Sequence, residues 1–307
     1  MNFGMLLKSY SDDFTLATRL VESFRTHNVD NIALYCVVPA KDVDAFSTLA
    51  SSTVHIMSED DFRVHLTDEG FDGIRPGYIN QEVIKLAFWE KGLVDNYFCV
   101  DSDAVFIRNF TVDDFIHPDG YPYTVLVEDR ELLTDPDYYT KYWQSRESAL
   151  RRIAESVGWQ SPLIRTCHGH QIFNSSVLHH WKSDFLQPRG WSYLDALRVA
   201  PYEFSWYNLW LQSHPTIPIH TREPFVKVFH TPHQHLESIL NGITEEDLAR
   251  GYLAVVINSN YARDIKTVAL SASKTAALAP YLSYGELTRI LGAKAKNSLK
   301  RIAGGTD

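Results

Sequence analysis

Short apolar runs alternate with amphipathic stretches through the first hundred residues. Residues 3–7 read Phe-Gly-Met-Leu-Leu, 32–38 read Ile-Ala-Leu-Tyr-Cys-Val-Val, 54–57 read Val-His-Ile-Met, and 97–100 read Tyr-Phe-Cys-Val. Runs of this length, without polar alternation, predict strands buried on both faces. Between the first two, Phe14, Leu16, Leu20, Val21 and Phe24 recur at helical spacing. Pro39 stops the second strand, 42–49 predicts a short helix, and 81–89 predicts another ahead of the fourth strand. Strand and helix in alternation predict an α/β fold: a mainly parallel central sheet, flanked by helices, with right-handed crossovers.

The rest of the chain is less regular. Residues 58–80 are polar and hold Gly70, Gly73, Pro76 and Gly77, which predicts a loop-rich insertion. Residues 122–128 predict a further strand and 135–159 a charged helix. On that helix Tyr138, Tyr142, Ser145 and Ala149 share a stripe, with arginines at 146, 151 and 152. A solvated amphipathic helix is the plain reading, and a face towards an acceptor is the other. After Cys167, His168 and His170 flank a glycine and lead into a strand pattern. A strand over 225–229 ends in His230, His233 and His235. Thr244, followed by Glu245, Glu246 and Asp247, predicts a capped helix start.

Beyond about residue 260 the character changes. Leu287, Ile290, Leu291, Leu299 and Ile302 are interleaved with Arg289, Lys294, Lys296, Lys300 and Arg301. The division expected is one domain over 1–260 and a helical segment over 261–307. That basic amphipathic tail suits either a helix packed on the domain or one in peripheral contact with a membrane surface.

Composition narrows the classes. With 307 residues, 45% hydrophobic and 22% charged, the chain is that of an ordinary folded protein. A net charge of −9 argues against non-specific nucleic-acid binding. The three cysteines, Cys36, Cys99 and Cys167, have no zinc or disulfide spacing. Lys8 interrupts the short apolar start, which lacks the pattern of a secretory signal, and no apolar window reaches membrane-spanning length. The expected location is cytoplasmic, at the inner face of the membrane if the tail takes the second of its two readings.

The chemistry concentrates where the fourth strand ends, in Asp101-Ser102-Asp103. A carboxylate beside a buried strand must be paired, hydrogen-bonded or metal-bound. Two close together repel unless a cation lies between them, and hard divalent cations prefer oxygen ligands. A pair of turn or capping aspartates is the bland alternative. Glu203, in the aromatic segment 201–210, reads either as an acid with a raised pKa or as a charge complementing a helix dipole.

An apolar strand ending in Asp-Ser-Asp-Ala-Val-Phe behind a lysine-bearing helix resembles the DxD motif of glycosyltransferases with the GT-A fold. The resemblance implies Mn²⁺ or Mg²⁺ on Asp101, Asp103 and His230. It implies a nucleotide-sugar donor, UDP-linked by preference, near Lys8, Ser9, Tyr10, Arg75, Gln81, Lys85, Ser102, His170, Gln171 and Lys227. Glu203 and Asp103 take the catalytic roles, and the acceptor is a glycan or lipid-linked glycan of bacterial surface-polysaccharide type. Trp206 stands where related polysaccharide enzymes carry a glutamate, with the acid displaced to Glu203. Two alternatives stay open: a non-catalytic nucleotide- or sugar-binding partner on the same fold, and a nucleotidyltransferase. The second is disfavoured because residues 8–13 hold no glycine. The absence of Gly-x-Gly-x-x-Gly disfavours a dinucleotide site.

Overall fold

A computed structural model describes residues 2–126, 128, 133, 136–163, 170–230, 232–257 and 292. The side chains of residues 137, 232 and 233 are not described, so His233, like Cys167, His168 and nearly all of the 261–307 tail, lies outside the described set. Among the described residues no helix is long and apolar enough to cross a membrane.

The fold class is as the apolar runs predict. The strands β1 (Phe3–Lys8), β2 (Ala33–Val38), β3 (Val54–Ser58), β4 (Asn96–Val100) and β7 (Ile172–Asn174) form one sheet in the order β3-β2-β1-β4-β7. The first four are parallel to one another, and β7 runs antiparallel to β4. A second sheet, in the order β5-β10-β9, joins β5 (Ala104–Phe106), β10 (Ala254–Ile257) and β9 (Val226–Phe229). A two-stranded ladder pairs β6 (Tyr123–Thr124) with β8 (His220–Thr221).

Helices cover both faces of the main sheet. On one side lies α1 (Phe14–His27), which buries Ala17, Leu20, Val21 and Phe24, with the four-residue α2 (Val43–Phe46) beyond it. This core joins Met5, Leu7, Phe98 and Val100 to the second sheet. On the other side lie α3 (Pro76–Ala87), α4 (Pro136–Val157), α5 (Ser175–His180), α6 (Tyr193–Val199) and α7 (Glu203–Ser213), packed over Leu6, Val37, Tyr97 and Cys99. Cys36 and Cys99 are buried free thiols. The chain continues through α8 (Pro232–Leu240) and α9 (Glu245–Ala249). Thr244 and Asp247 form the capping box expected there.

Three boundaries differ from expectation. The helix ahead of β4 begins at Pro76, because proline at the first helical position loses no needed hydrogen bond. The strand expected over 122–128 shrinks to two residues. The strand expected over 225–229 begins one residue later, at Val226, and His230 follows its end as expected, with Pro232 opening α8.

Candidate active site

Strand β4 delivers Asp101 to the carboxyl edge of the parallel sheet, where open α/β sheets bind ligands. The chain then turns sharply, with the Ala104 amide donating to the Asp101 carbonyl at 3.0 Å, and β5 leaves in the second sheet. Ser102 is buried in that turn and its hydroxyl donates to Ser9 Oγ at 2.9 Å. The acidic turn is thereby pinned to the loop after β1.

Beneath the turn lies a buried ionic cluster. Lys85, on α3, has its Nζ 3.0 Å from Glu203 Oε1 and 3.5 Å from Asp101 Oδ1. Glu203 opens α7, and Phe204 beside it places its ring 4.9 Å from the same ammonium. The Tyr97 hydroxyl fixes that turn of α3 by donating to the Lys85 carbonyl at 2.6 Å. His170 Nε2 approaches Asp101 Oδ2 at 3.8 Å from the other side. Burial alone raises the Asp101 carboxyl, but Lys85 and then His170 outweigh it and hold the group below its ordinary pKa. Burial likewise depresses the Lys85 ammonium, and Asp101 and Glu82 overcome it.

Glu82, one turn before Lys85 on α3, has a raised pKa. Its side chain is buried, Oε2 has no hydrogen-bond partner, and desolvation lifts the group to about 7 despite Lys85 nearby. Glu203 differs from Glu82 in having a close cation partner, Lys85. As the first residue of α7, Glu203 also has the dipole-complementing position.

The remaining expected residues fall into groups. Ser9 bonds the turn, Tyr10 follows Ser9 along the chain, and Arg75 lies near Asp13. Asp13, beside them, is raised by burial and Asp12, lowered by Arg75, and raised again by Asp101, so these charges sense one another. Lys8 is buried, with Nζ 2.7 Å from Glu59 Oε1, and its charge is balanced inside the protein. Gln81 is half-buried on α3. Gln171 accepts from Asn208 Nδ2 at 2.9 Å, which ties β7's approach to α7. Lys227 lies over the rings of Phe229 and Tyr252 on the second sheet. His230 follows β9 and rests against Tyr138 and Tyr142 of α4, at 5.7 and 5.9 Å between ring centres. His235 is buried and pushed down to about 4 by desolvation.

A two-carboxylate turn, with Asp101 held ionised and its side chain a third exposed, matches the donor chemistry of a hard divalent cation. Asp101 and Asp103 are the residues that fit it.

A family model described as a family of unknown function (DUF6492) matches residues 5–239. The chain belongs to DUF6492. The matched span runs from β1 into α8 and so contains the acidic turn and its ionic cluster. No curated protein matches the chain. Among solved structures it is similar to the crystal structure of mouse xyloside xylosyltransferase 1, apo form. Identity is 10%, 85% of this chain and 99% of that chain are covered, and the TM-score is 0.45. A likeness of that size says nothing of this DUF6492 chain's chemistry.

Sequence reading passed over several residues of this DUF6492 member. Glu82 carried a signal, an acid within the apolar run of α3. Glu59, Asp13 and Asn208 carried none, since each gains its role from a distant partner. Arg146, read mainly as a solvated charge, is instead stacked between Tyr142 and Tyr202 at 4.4 and 4.5 Å, near Glu82 and Tyr78. Also passed over were His117, Asp119 and His220, whose ligand atoms lie within 4.8 Å of one another.

Proposed function

We propose that this protein is a metal-dependent glycosyltransferase. It moves a sugar from a nucleotide-sugar, UDP-linked by preference, to a hydroxyl of a glycan or glycolipid in bacterial surface-polysaccharide synthesis. The observation that carries this reading is the acidic turn at the carboxyl end of β4, with Asp101 held ionised by Lys85. The donor class and acceptor come from the resemblance of the Asp101–Asp103 segment to the DxD motif.

In this reading Asp101 and Asp103 hold Mn²⁺ or Mg²⁺, with His230 as the third ligand. The ion supplies Lewis-acid stabilisation of the departing diphosphate. The chain's own residues do the rest. Glu203 is a positioning residue: it holds the Lys85 ammonium that keeps Asp101 charged. Ser102 and Ser9 lock the turn to the loop that receives the nucleotide, where Tyr10 and Arg75 flank it. His170 and Gln171 face the donor sugar from the floor, and Asp103 is the catalytic carboxylate of the turn. The tail 261–307 brings the protein to a lipid-linked acceptor at the inner membrane face.

Thermal melting with UDP, GDP, CMP and their sugar conjugates, with and without Mn²⁺, tests this. A ligand bound only by the native state raises the melting temperature by mass action. The expected result is a shift that needs nucleotide and metal together and disappears in Asp103→Ala, with the unliganded melting temperature unchanged. No shift with any nucleotide, or a shift kept in Asp103→Ala, overturns the reading and returns Asp101 and Asp103 to a structural turn.

A further inference from the structure

The second cluster of ligating side chains lies on other elements than the acidic turn. Between the bridge at Ile116 and β6, residues 117–121 close a tight turn. The His117 amide donates to the Tyr121 carbonyl and the Gly120 amide to the His117 carbonyl, both at 2.8 Å. Gly120 has φ 92°, the left-handed conformation that side chains disfavour. The turn folds Asp119 back over His117, bringing Oδ1 to 3.0 Å from Nδ1. The β6–β8 ladder, with Tyr123 opposite His220, then brings in a second imidazole from far along the chain. His220 Nε2 lies 2.6 Å from Asp119 Oδ2.

The two rings stack at 3.7 Å with 12° between their planes, and each aims a nitrogen at one oxygen of the same carboxylate. Tyr123 meets the His117 ring edge-on and supports it from the side. All three side chains are between a quarter and two-fifths exposed, so an ion can enter and a fourth ligand from solvent can complete its shell.

We infer that His117, Asp119 and His220 form a site for a zinc-class divalent ion, separate from the carboxylate pair at Asp101 and Asp103. Two imidazoles and one carboxylate suit zinc and its transition-metal neighbours, whereas magnesium and manganese favour oxygen sets. Zinc takes such donors at about 2.0–2.2 Å, which places neighbouring ligand atoms roughly 3.3 Å apart in a tetrahedron. The present separations run from 2.6 Å and stay within 4.8 Å, so a small rearrangement of the cluster reaches that spacing. The ion would tie the 117–121 turn to β8 and so clamp two segments far apart in sequence. This inference does not depend on the glycosyltransferase reading.

The test uses the full chain, stripped with a chelator and titrated with Zn²⁺ by calorimetry, with melting followed in parallel. One equivalent is expected to bind, raising the melting temperature by roughly 5–10 °C at a hundredfold excess over Kd. His220→Gln and, independently, Asp119→Asn are each expected to weaken binding by about 100-fold or more. His117→Gln serves if either fails to fold, and each variant's metal-free melting point reports that. Asp103→Ala is expected to bind zinc as the unaltered protein does. Unchanged zinc affinity in His220→Gln, loss of zinc binding in Asp103→Ala, or no zinc binding by the unaltered protein overturns the inference.

Discussion

Strand β4 separates two unlike cores. Phe98 and Val100 point into hydrocarbon and ring: Phe98 lies 5.2 Å from Phe115 and 5.0 Å from Phe225, and Phe115 stacks on Phe3 at 4.9 Å. Tyr97 and Cys99 point the other way, into a core that encloses Glu82, Lys85 and Glu203. The first face is the solution expected for stability alone, since aromatic burial and ring contacts are favourable without conditions. The second removes the Lys85–Glu203 ion pair and the raised carboxyl Glu82 from water, and the pair's attraction does no more than offset its desolvation. A core that retains such groups beside a strand terminus is organised around what happens at that terminus. The contrast teaches where to look: the acidic turn draws its ammonium, Lys85, from only one of the two cores beneath it.

Several substitutions sharpen or break that contrast. The largest effect is expected from Lys85→Met, which leaves Glu203 buried without its cation and should cost about 3–5 kcal/mol in urea unfolding. Adding Glu203→Met should recover part of the loss, because the acids then left without the ammonium are Asp101, itself partly exposed, and Glu82, which can hold a proton. A double variant no more stable than the single one would show that the pair is not the unit described.

Next is Phe98→Ala, expected to cost about 3–5 kcal/mol by the same measurement, through transfer and cavity terms. Unlike Lys85→Met it should leave metal-dependent nucleotide binding in place at temperatures well below its lowered melting point. Loss of that binding in the folded variant would mean the apolar core also tunes the site.

The smallest effect is conditional on pH. Glu82 titrates near 7 when folded against 4.5 as its ordinary value. Between those values the native state holds the proton more tightly than the unfolded chain. Its contribution is therefore full below about pH 4.5 and is lost as pH rises to about 7. Glu82→Gln removes that slope, so relative to the unaltered protein it should gain roughly 3 kcal/mol between pH 4.5 and 7.5. Parallel urea curves for the two proteins across this range would show that Glu82 is not desolvated as described.

Much of the frame was legible in the sequence because β1 to β4 are apolar runs whose burial needs no partner to be named. The carboxyl-edge position of Asp101 followed from the same pattern. What was not legible depends on tertiary pairing. Lys85 meets Glu203 across 118 residues, and no local spacing encodes that distance. The start of α3 was hidden because Pro76 and Gly77 signal a loop when read singly, although proline is also a good first helical residue. The aromatic neighbours of Glu203 are visible in sequence, whereas its lysine partner and the burial of Glu82 are not. His117 and His220 meet through a two-residue ladder too short to predict.

The second sheet has a consequence for biosynthesis. Its central strand, β10, is the last of the three to leave the ribosome, yet both β5 and β9 bond to it. The main parallel sheet can begin to assemble while the chain is still emerging, but until residue 257 is out β5 has no ladder partner in its own sheet. Over that interval two strand edges are open to chaperones or to pairing with other chains. The turn bearing Asp101 and Asp103 is then held by β4 and by the Ser102–Ser9 bond, without the second sheet. The nascent protein therefore gains the second sheet's support of its acidic turn only after nearly all of the described chain has been translated.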